Sequence, residues 1–163
     1  MANRIVAGVI AGAAGTVALN VTTYVDMLVR GRPPSELPAR VAGALADEMG
    51  IPLDFDLDDG AQDGQTEQRV ANRREAVGAL LGYANGIGIG AAYGVSRLVL
   101  PRLPLWVVGT ALGSVAMASS DVPATRLGLT DPREWQPADW AADVVPHLVY
   151  GLVTALTFEL ARK

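Results

Sequence analysis

The chain has 163 residues and 17.0 kDa; half of it is hydrophobic, 18% is charged, and 13 basic against 17 acidic residues give a net charge of −4. A mean hydropathy of +0.27 with so little charge excludes intrinsic disorder, the absence of cysteine excludes a disulfide framework, a thiolate zinc site and a Cys nucleophile, and a single histidine excludes a multi-His metal cluster within one chain. The acidic balance is a poor footprint for nucleic acid, so no nucleic-acid partner is expected.

The charges are unevenly placed. Uncharged windows run over 5–25 (21 residues), 76–96 (21 residues), 103–120 (18 residues) and 144–158 (15 residues). A bilayer core takes roughly 20 apolar residues of helix, within about 17–25. A soluble Ala/Gly-rich bundle would instead show a charged face every third or fourth residue within each helix, and none of the windows does. The expected class is all-α: an integral membrane four-transmembrane-helix bundle in one membrane domain, embedded in the lipid bilayer of the cell (inner) membrane.

In chain order, the first transmembrane helix is expected at about 5–29. Its apolar run exceeds a signal h-region and no small-x-small cleavage site follows, so it is expected to be retained. A polar segment follows over 31–74. Within it, Pro38 to Met49 reads as a short amphipathic helix, with Val41, Leu45 and Met49 on one face and Gly50 as the stop. Leu53 to Thr66 reads as an acidic loop. Its Asp54-x-Asp56-x-Asp58-Asp59-Gly60 run is spaced like part of a calcium loop, but positions six and twelve are Asp59 and Gln65 where Gly and Glu are needed. A solvated loop fits better than a metal site, and whether Asp54–Asp63 binds a cation stays open. The helix-friendly Glu67–Glu75 extends the second transmembrane helix, 76–99, outward. Pro101-Arg102-Leu103-Pro104 predicts a tight turn, and the third helix covers 103–120. Asp131-Pro132-Arg133-Glu134 has the acid, proline and glutamate of a helix start, and the fourth helix, 140–160, reads on to Lys163.

The side of the bundle bearing the short connection carries Arg4, Arg97, Arg102, Arg162 and Lys163. The side of the long segment carries Arg30, Arg32, Arg40, Arg69, Arg73, Arg74, Arg126 and Arg133 with most of the acids. Counting Lys and Arg alone favours the second side as cytoplasmic, while discounting long loops narrows the margin, so the orientation stays open.

The halves of the chain match each other. A shift of 101 places Gly8 on Gly109, Gly12 on Gly113 and Asn20 on Asp121; a shift of 65 places Gly82 on His147, Asn85 on Tyr150, Gly86 on Gly151 and Gly90 on Ala155. Two repeated helical hairpins and chance matching among abundant Gly and Ala both fit. In the second helix, Gly78, Gly82, Gly86, Gly90 and Gly94 recur every four residues, the pattern of a glycine zipper. Small residues at this spacing let backbones approach in lipid. Packing inside the bundle and a subunit interface, with a homo-oligomer or other membrane subunits as partners, both fit.

Polar residues inside membrane helices are functional candidates. Asn20, Asn85, Asp121, Asp143, His147 and Tyr150 fall in the half nearer the long segment, which predicts a polar intramembrane cluster or vestibule. Asp143 and His147 are i,i+4 and are expected to pair, and Pro146 frees the carbonyl of Ala142. A His–carboxylate pair carries protons near neutral pH, or simply packs. No G-x-S-x-G turn, P-loop or dinucleotide fingerprint occurs; no enzyme activity, cofactor or metal is expected.

The Gly-rich first helix, the Arg-Gly-Arg-Pro-Pro run at 30–34 and His147-Leu148-Val149-Tyr150-Gly151 give the layout a resemblance to small uncharacterised prokaryotic four-helix inner-membrane proteins of the YagU-like kind. The resemblance implies an integral membrane protein and little about mechanism. Two functions compete: a non-enzymatic accessory or scaffold subunit of a membrane assembly, and a small oligomeric transporter or channel with a polar vestibule around Asp121 and His147. What separates them is whether the polar groups face water or are consumed by helix–helix hydrogen bonds.

Overall fold

A computed structural model describes residues 2–53, 55, 63–99 and 103–162. The acidic run from Asp54 to Gly60 (Phe55 apart), the turn residues Pro101 and Arg102, and Lys163 lie outside them. The described residues are helical almost throughout: α1 (Ala2–Arg30), α2 (Leu37–Glu48), α3 (Asp63–Ser96), α4 (Leu105–Arg126), a 3-10 turn (Pro132–Glu134) and α5 (Pro137–Ala161). Within them, Asn3–Arg30, Thr66–Ser96, Leu105–Arg126 and Pro137–Ala161 are long and apolar enough to cross a membrane.

Local chemistry sets the boundaries. Three helices stop at glycines in the left-handed region, Gly31 (φ 63°) after α1, Gly50 (φ 65°) after α2 and Gly128 (φ 66°) after α4. After α2 and α4 the next amide reaches back over the last turn: Ile51 donates to Ala46 at 2.8 Å and Leu129 to Ala124 at 2.9 Å. The structure corrects three sequence expectations. α3 begins at Asp63, inside the stretch 53–66 read as a loop. α4 continues past Ser120 to Arg126, with Pro123 inside it, so Asp121 is an interior helical residue. The Asp131 signature makes only a 3-10 turn, its carboxylate accepting from the Arg133 amide. The second start wins because Gln136 and Asp139 form a reciprocal capping box with Pro137 in the first turn.

The four long helices pack in the order α3–α1–α5–α4, with α1 against both α3 and α5, and α5 against both α1 and α4; α3 and α4 touch slightly. α2 lies across α3, its Pro38 backbone over Gly78, where a Cβ would stand 2.7 Å away. At the end of the short connection, Ala7, Ala11, Tyr93 and Phe158 form a buried layer flanked by Val108 and Leu112. The Tyr93 and Phe158 rings sit 4.7 Å apart, tilted by 59°.

Glycine brings the helices within backbone contact. A Cβ on Gly12 would stand 2.6 Å from the Gly86 carbonyl oxygen, and one on Gly90 2.5 Å from the Gly12 Cα; Gly94 meets the Arg4 carbonyl. The α4–α5 pair has the same arrangement. A Cβ on Gly113 would stand 2.6 Å from the His147 carbonyl oxygen, and one on Gly151 2.5 Å from the Gly113 amide. Equivalent contacts are thus 101 residues apart in α1 and α4 but 61 apart in α3 and α5 (Gly86 with His147, Gly90 with Gly151), one turn short of the 65 matched in sequence. A four-residue slip keeps the same helix face, so the sequence pattern hides it.

The glycines spaced by four in α3 are not packed alike: a Cβ on Gly82 would have no neighbouring atom within 4 Å, as is also true of Gly88 on another face. Gly90→Ala should therefore cost about 2–3 kcal/mol, because the atoms it meets are backbone and cannot yield. Gly82→Ala should be neutral or stabilising by up to about 1 kcal/mol, through helix propensity alone. Reversible unfolding in mixed micelles, followed by circular dichroism, measures both; equal losses would show that the two glycines share one environment.

Candidate functional site

The polar residues lie one to three turns inside the helix ends that face the long segment. Asn20 precedes the end of α1 by ten residues, Asp121 that of α4 by five, and Asp143 and His147 follow the start of α5 by six and ten. At about 1.5 Å per residue these are depths of roughly 7–15 Å. The opposite half of the bundle holds the Ala7–Tyr93–Phe158 layer.

These groups do not gather at one point but link the helices in pairs. Asn20 Nδ2 on α1 donates to the Tyr83 hydroxyl on α3 at 3.2 Å. Asn85 Nδ2 on α3 donates to Ser119 Oγ on α4 at 2.8 Å, and Ser119 donates in turn to the Ala116 carbonyl. Tyr150, almost fully buried, donates from α5 to the Gly86 carbonyl of α3 at 2.6 Å. Nearer the surface, Asp26 holds Arg30 at 2.8 Å and Arg32 at 2.5 Å, and Arg30 also donates to the Ala138 carbonyl, tying α1 to the start of α5.

Asp121, Asp143 and His147 do come together. His147 Nδ1 lies 2.8 Å from the Asp143 carbonyl oxygen and 3.3 Å from Asp143 Oδ1. A carbonyl only accepts, so Nδ1 carries the hydrogen and Nε2 is the nitrogen left to gain or lose a proton. Asp143 Oδ2 is shut off from solvent without a hydrogen-bond donor. Asp121, on α4, lies near Asp143 and His147. Ser120 Oγ contacts Asp121 at 3.2 Å. Two carboxyls and an imidazole in this arrangement can hold or pass a proton; among the described residues no three His, Asp or Glu side chains converge in the manner of metal ligands.

Tyr83 and Ser119 are the partners that sequence reasoning missed. Tyr83 sits three residues after Leu80 and one after an unpacked glycine, and nothing in the pattern marks it as the mate of Asn20. A surface depression of about 660 Å³ lies at the α4–α5 connection, lined by Thr125, Thr130, Asp131, Arg133 and Glu134 among others, away from these side chains. No protein-family model, curated protein or solved structure matches the chain.

Asp121→Asn should stabilise the protein by about 1 kcal/mol, since it removes a like charge beside Asp143. Asn20→Ala and Asn85→Ala should each cost about 0.6 kcal/mol, the usual worth of an interhelical hydrogen bond in a membrane protein. Unfolding midpoints in one detergent series compare all three. Destabilisation by Asp121→Asn would mean that the two carboxyls do not oppose each other.

Proposed function

We propose that this chain is a multi-pass protein of the cell (inner) membrane, built from two repeated helical hairpins, and serves as a non-enzymatic accessory or scaffold subunit of a membrane assembly. The observation that carries the reading is the use made of the polar side chains. Asn20, Asn85, Tyr150 and Arg30 each spend their donors on another helix, which is how polar groups act as glue between membrane helices.

Insertion is supported by the outward faces. Ile10, Val17, Leu28, Leu80 and Val115 are all more than half exposed, and an apolar surface of this extent calls for lipid or a partner. Trp106, 67% exposed, opens α4 at one end of the bundle, and Trp140, 40% exposed, opens α5 at the other. From Trp106 to Arg126 and from Trp140 to Leu160 the helices rise roughly 30 Å, the thickness of a bilayer core, with aromatic residues at both boundaries. The resemblance to YagU-like proteins belongs to the same reading.

The partner surface we assign is the outer face of α3, where Ala84, Gly88 and Ala92 are exposed at four-residue spacing and Gly88 has open space around it. It suits a second copy of the chain or another membrane subunit. Gly88→Leu should leave the unfolding midpoint unchanged yet shift the protein to a smaller species in native-mass measurements in mild detergent. A wild-type chain that is monomeric and extracts from membranes alone would sink the scaffold reading. Cysteines placed at positions 2 and 162 should react from the same side of intact cells; opposite reactivity would sink the four-span topology.

A second reading, a small transporter or channel, is favoured by one feature, the donor-less Asp143 Oδ2 in a carboxylate that neighbours Asp121 and His147. On that reading His147→Ala would fold like the parent and abolish proton or solute flux in proteoliposomes. On the scaffold reading it changes stability alone.

A further inference from the structure

Of the four candidate spans, that of α3 is both the least apolar and the least covered by the rest of the chain. Its inner face meets α1 through Gly86, Gly90 and Gly94, and toward the long segment α2 covers Gly78. Beyond that cover, Leu81, Asn85, Gly88, Ala92 and Val95 are all exposed. Their spacing is four, three, four and three, the alternation that keeps one stripe of a helix turned toward a neighbouring helix. At about 100° per residue the five positions fall within about 80° of the helix circumference.

This stripe differs from the outer surface of α1, which presents Val6, Ile10, Val17 and Val21, each more than half exposed and suited to lipid. The α3 stripe has a carboxamide at its middle. Asn85 lies ten residues beyond Glu75, the last charge before the apolar window, a depth of roughly 15 Å and half of a bilayer core. Its Nδ2 donates to Ser119 Oγ at 2.8 Å. A carboxamide carries two donor hydrogens and an acceptor oxygen, so this bond leaves a hydrogen and Oδ1 over. Lipid at that depth offers neither donor nor acceptor.

A second copy of the chain meets these demands. Copies inserted in one orientation set α3 parallel to α3, so identical residues meet at equal depth. A carboxamide is then its own complement: each Oδ1 accepts from the other Nδ2. Gly88, around which a Cβ would find open space, and Ala92 let the two backbones approach closely enough for so short a side chain to reach. One asparagine in an otherwise apolar seam also fixes register and chain number. A different subunit would leave that self-match without use.

We infer that two copies of the chain pack in parallel along Leu81, Asn85, Gly88, Ala92 and Val95, with the two Asn85 side chains hydrogen-bonded across the two-fold axis. The inference rests on the scaffold reading above, whose partner it names. The full chain has no cysteine, so single cysteines can be placed in it and oxidised in the membranes of the expressing cells. Leu81→Cys and Ala92→Cys should each give a covalent dimer of twice the chain's mass. Leu80→Cys, 67% exposed but on another face, should give none. In a dilution series in mild detergent, Asn85→Leu should weaken the dimer about tenfold and Asn85→Gln should keep most of it. Ser119→Ala, which removes the bond within the chain and leaves the stripe whole, should not change it.

Crosslinking through Leu80→Cys instead of Ala92→Cys would put the contact on another face and overturn the proposal, as would a dimer indifferent to Asn85→Leu. The crosslinks decide the matter even if Asn85→Leu does not fold. A larger assembly in which no two copies crosslink would overturn the dimer and leave the scaffold reading with a different subunit as partner. A chain that crosslinks to nothing and is monomeric in mild detergent would overturn both.

Discussion

Backbone lies on backbone where α1 crosses α3, and the rest of the bundle depends on that closeness. Gly8 and Gly12 on one helix and Gly86, Gly90 and Gly94 on the other leave no side chain between the two main chains. Dispersion between closely packed atoms and the absence of any competing side chain hold such a crossing together where the hydrophobic effect between helices is weak. Because α1 is drawn in so far, Thr16 comes over Gly86, and Gly15 admits Thr154 and Tyr150 from α5 on the other side. Tyr150 can then deliver its hydroxyl to the Gly86 carbonyl, joining three helices at one level. Gly109, Gly113 and Gly151 bring α4 onto α5 by the same means, and Asp121 is set opposite Asp143 as a consequence.

The two ends of the bundle are different environments. Toward the short connection the interior is an apolar layer capped by arginines around one glutamate; toward the long segment it is a series of interhelical polar bonds with a carboxyl–carboxyl–imidazole group at its edge.

Much of this was legible from the residues. Long stretches without charge mark the four long helices, which are long and apolar enough to cross a membrane. Pro38, Gly50 and the spacing of Val41 and Leu45 mark α2, since a proline suits the first turn and a glycine the stop. The confinement of Asn20, Asn85, Asp121 and His147 to one half followed from counting residues, because the rise per residue is fixed. Other features stayed hidden. Asp121 looked like the residue after a helix because a charge ends an apolar window, whereas Leu129 and Gly128 close α4 a turn and a half later. Gly82 looked like a member of the zipper because spacing defines a face, yet it cannot say how far along that face the partner helix stays in contact.

The sequence by itself determined where the four long helices lie and along which helix each polar group falls, since these follow from composition and from periodicities internal to one helix. Only the tertiary structure decided which polar groups meet. Gly12 meets Gly86 and Gly90, Gly113 meets His147 and Gly151, Asn20 finds Tyr83, Asn85 finds Ser119, and Asp121 lies near Asp143. Partnership across helices depends on the relative rotation of two rods and their height to within one turn. A four-residue slip leaves every periodic signal in the chain unchanged while replacing every neighbour.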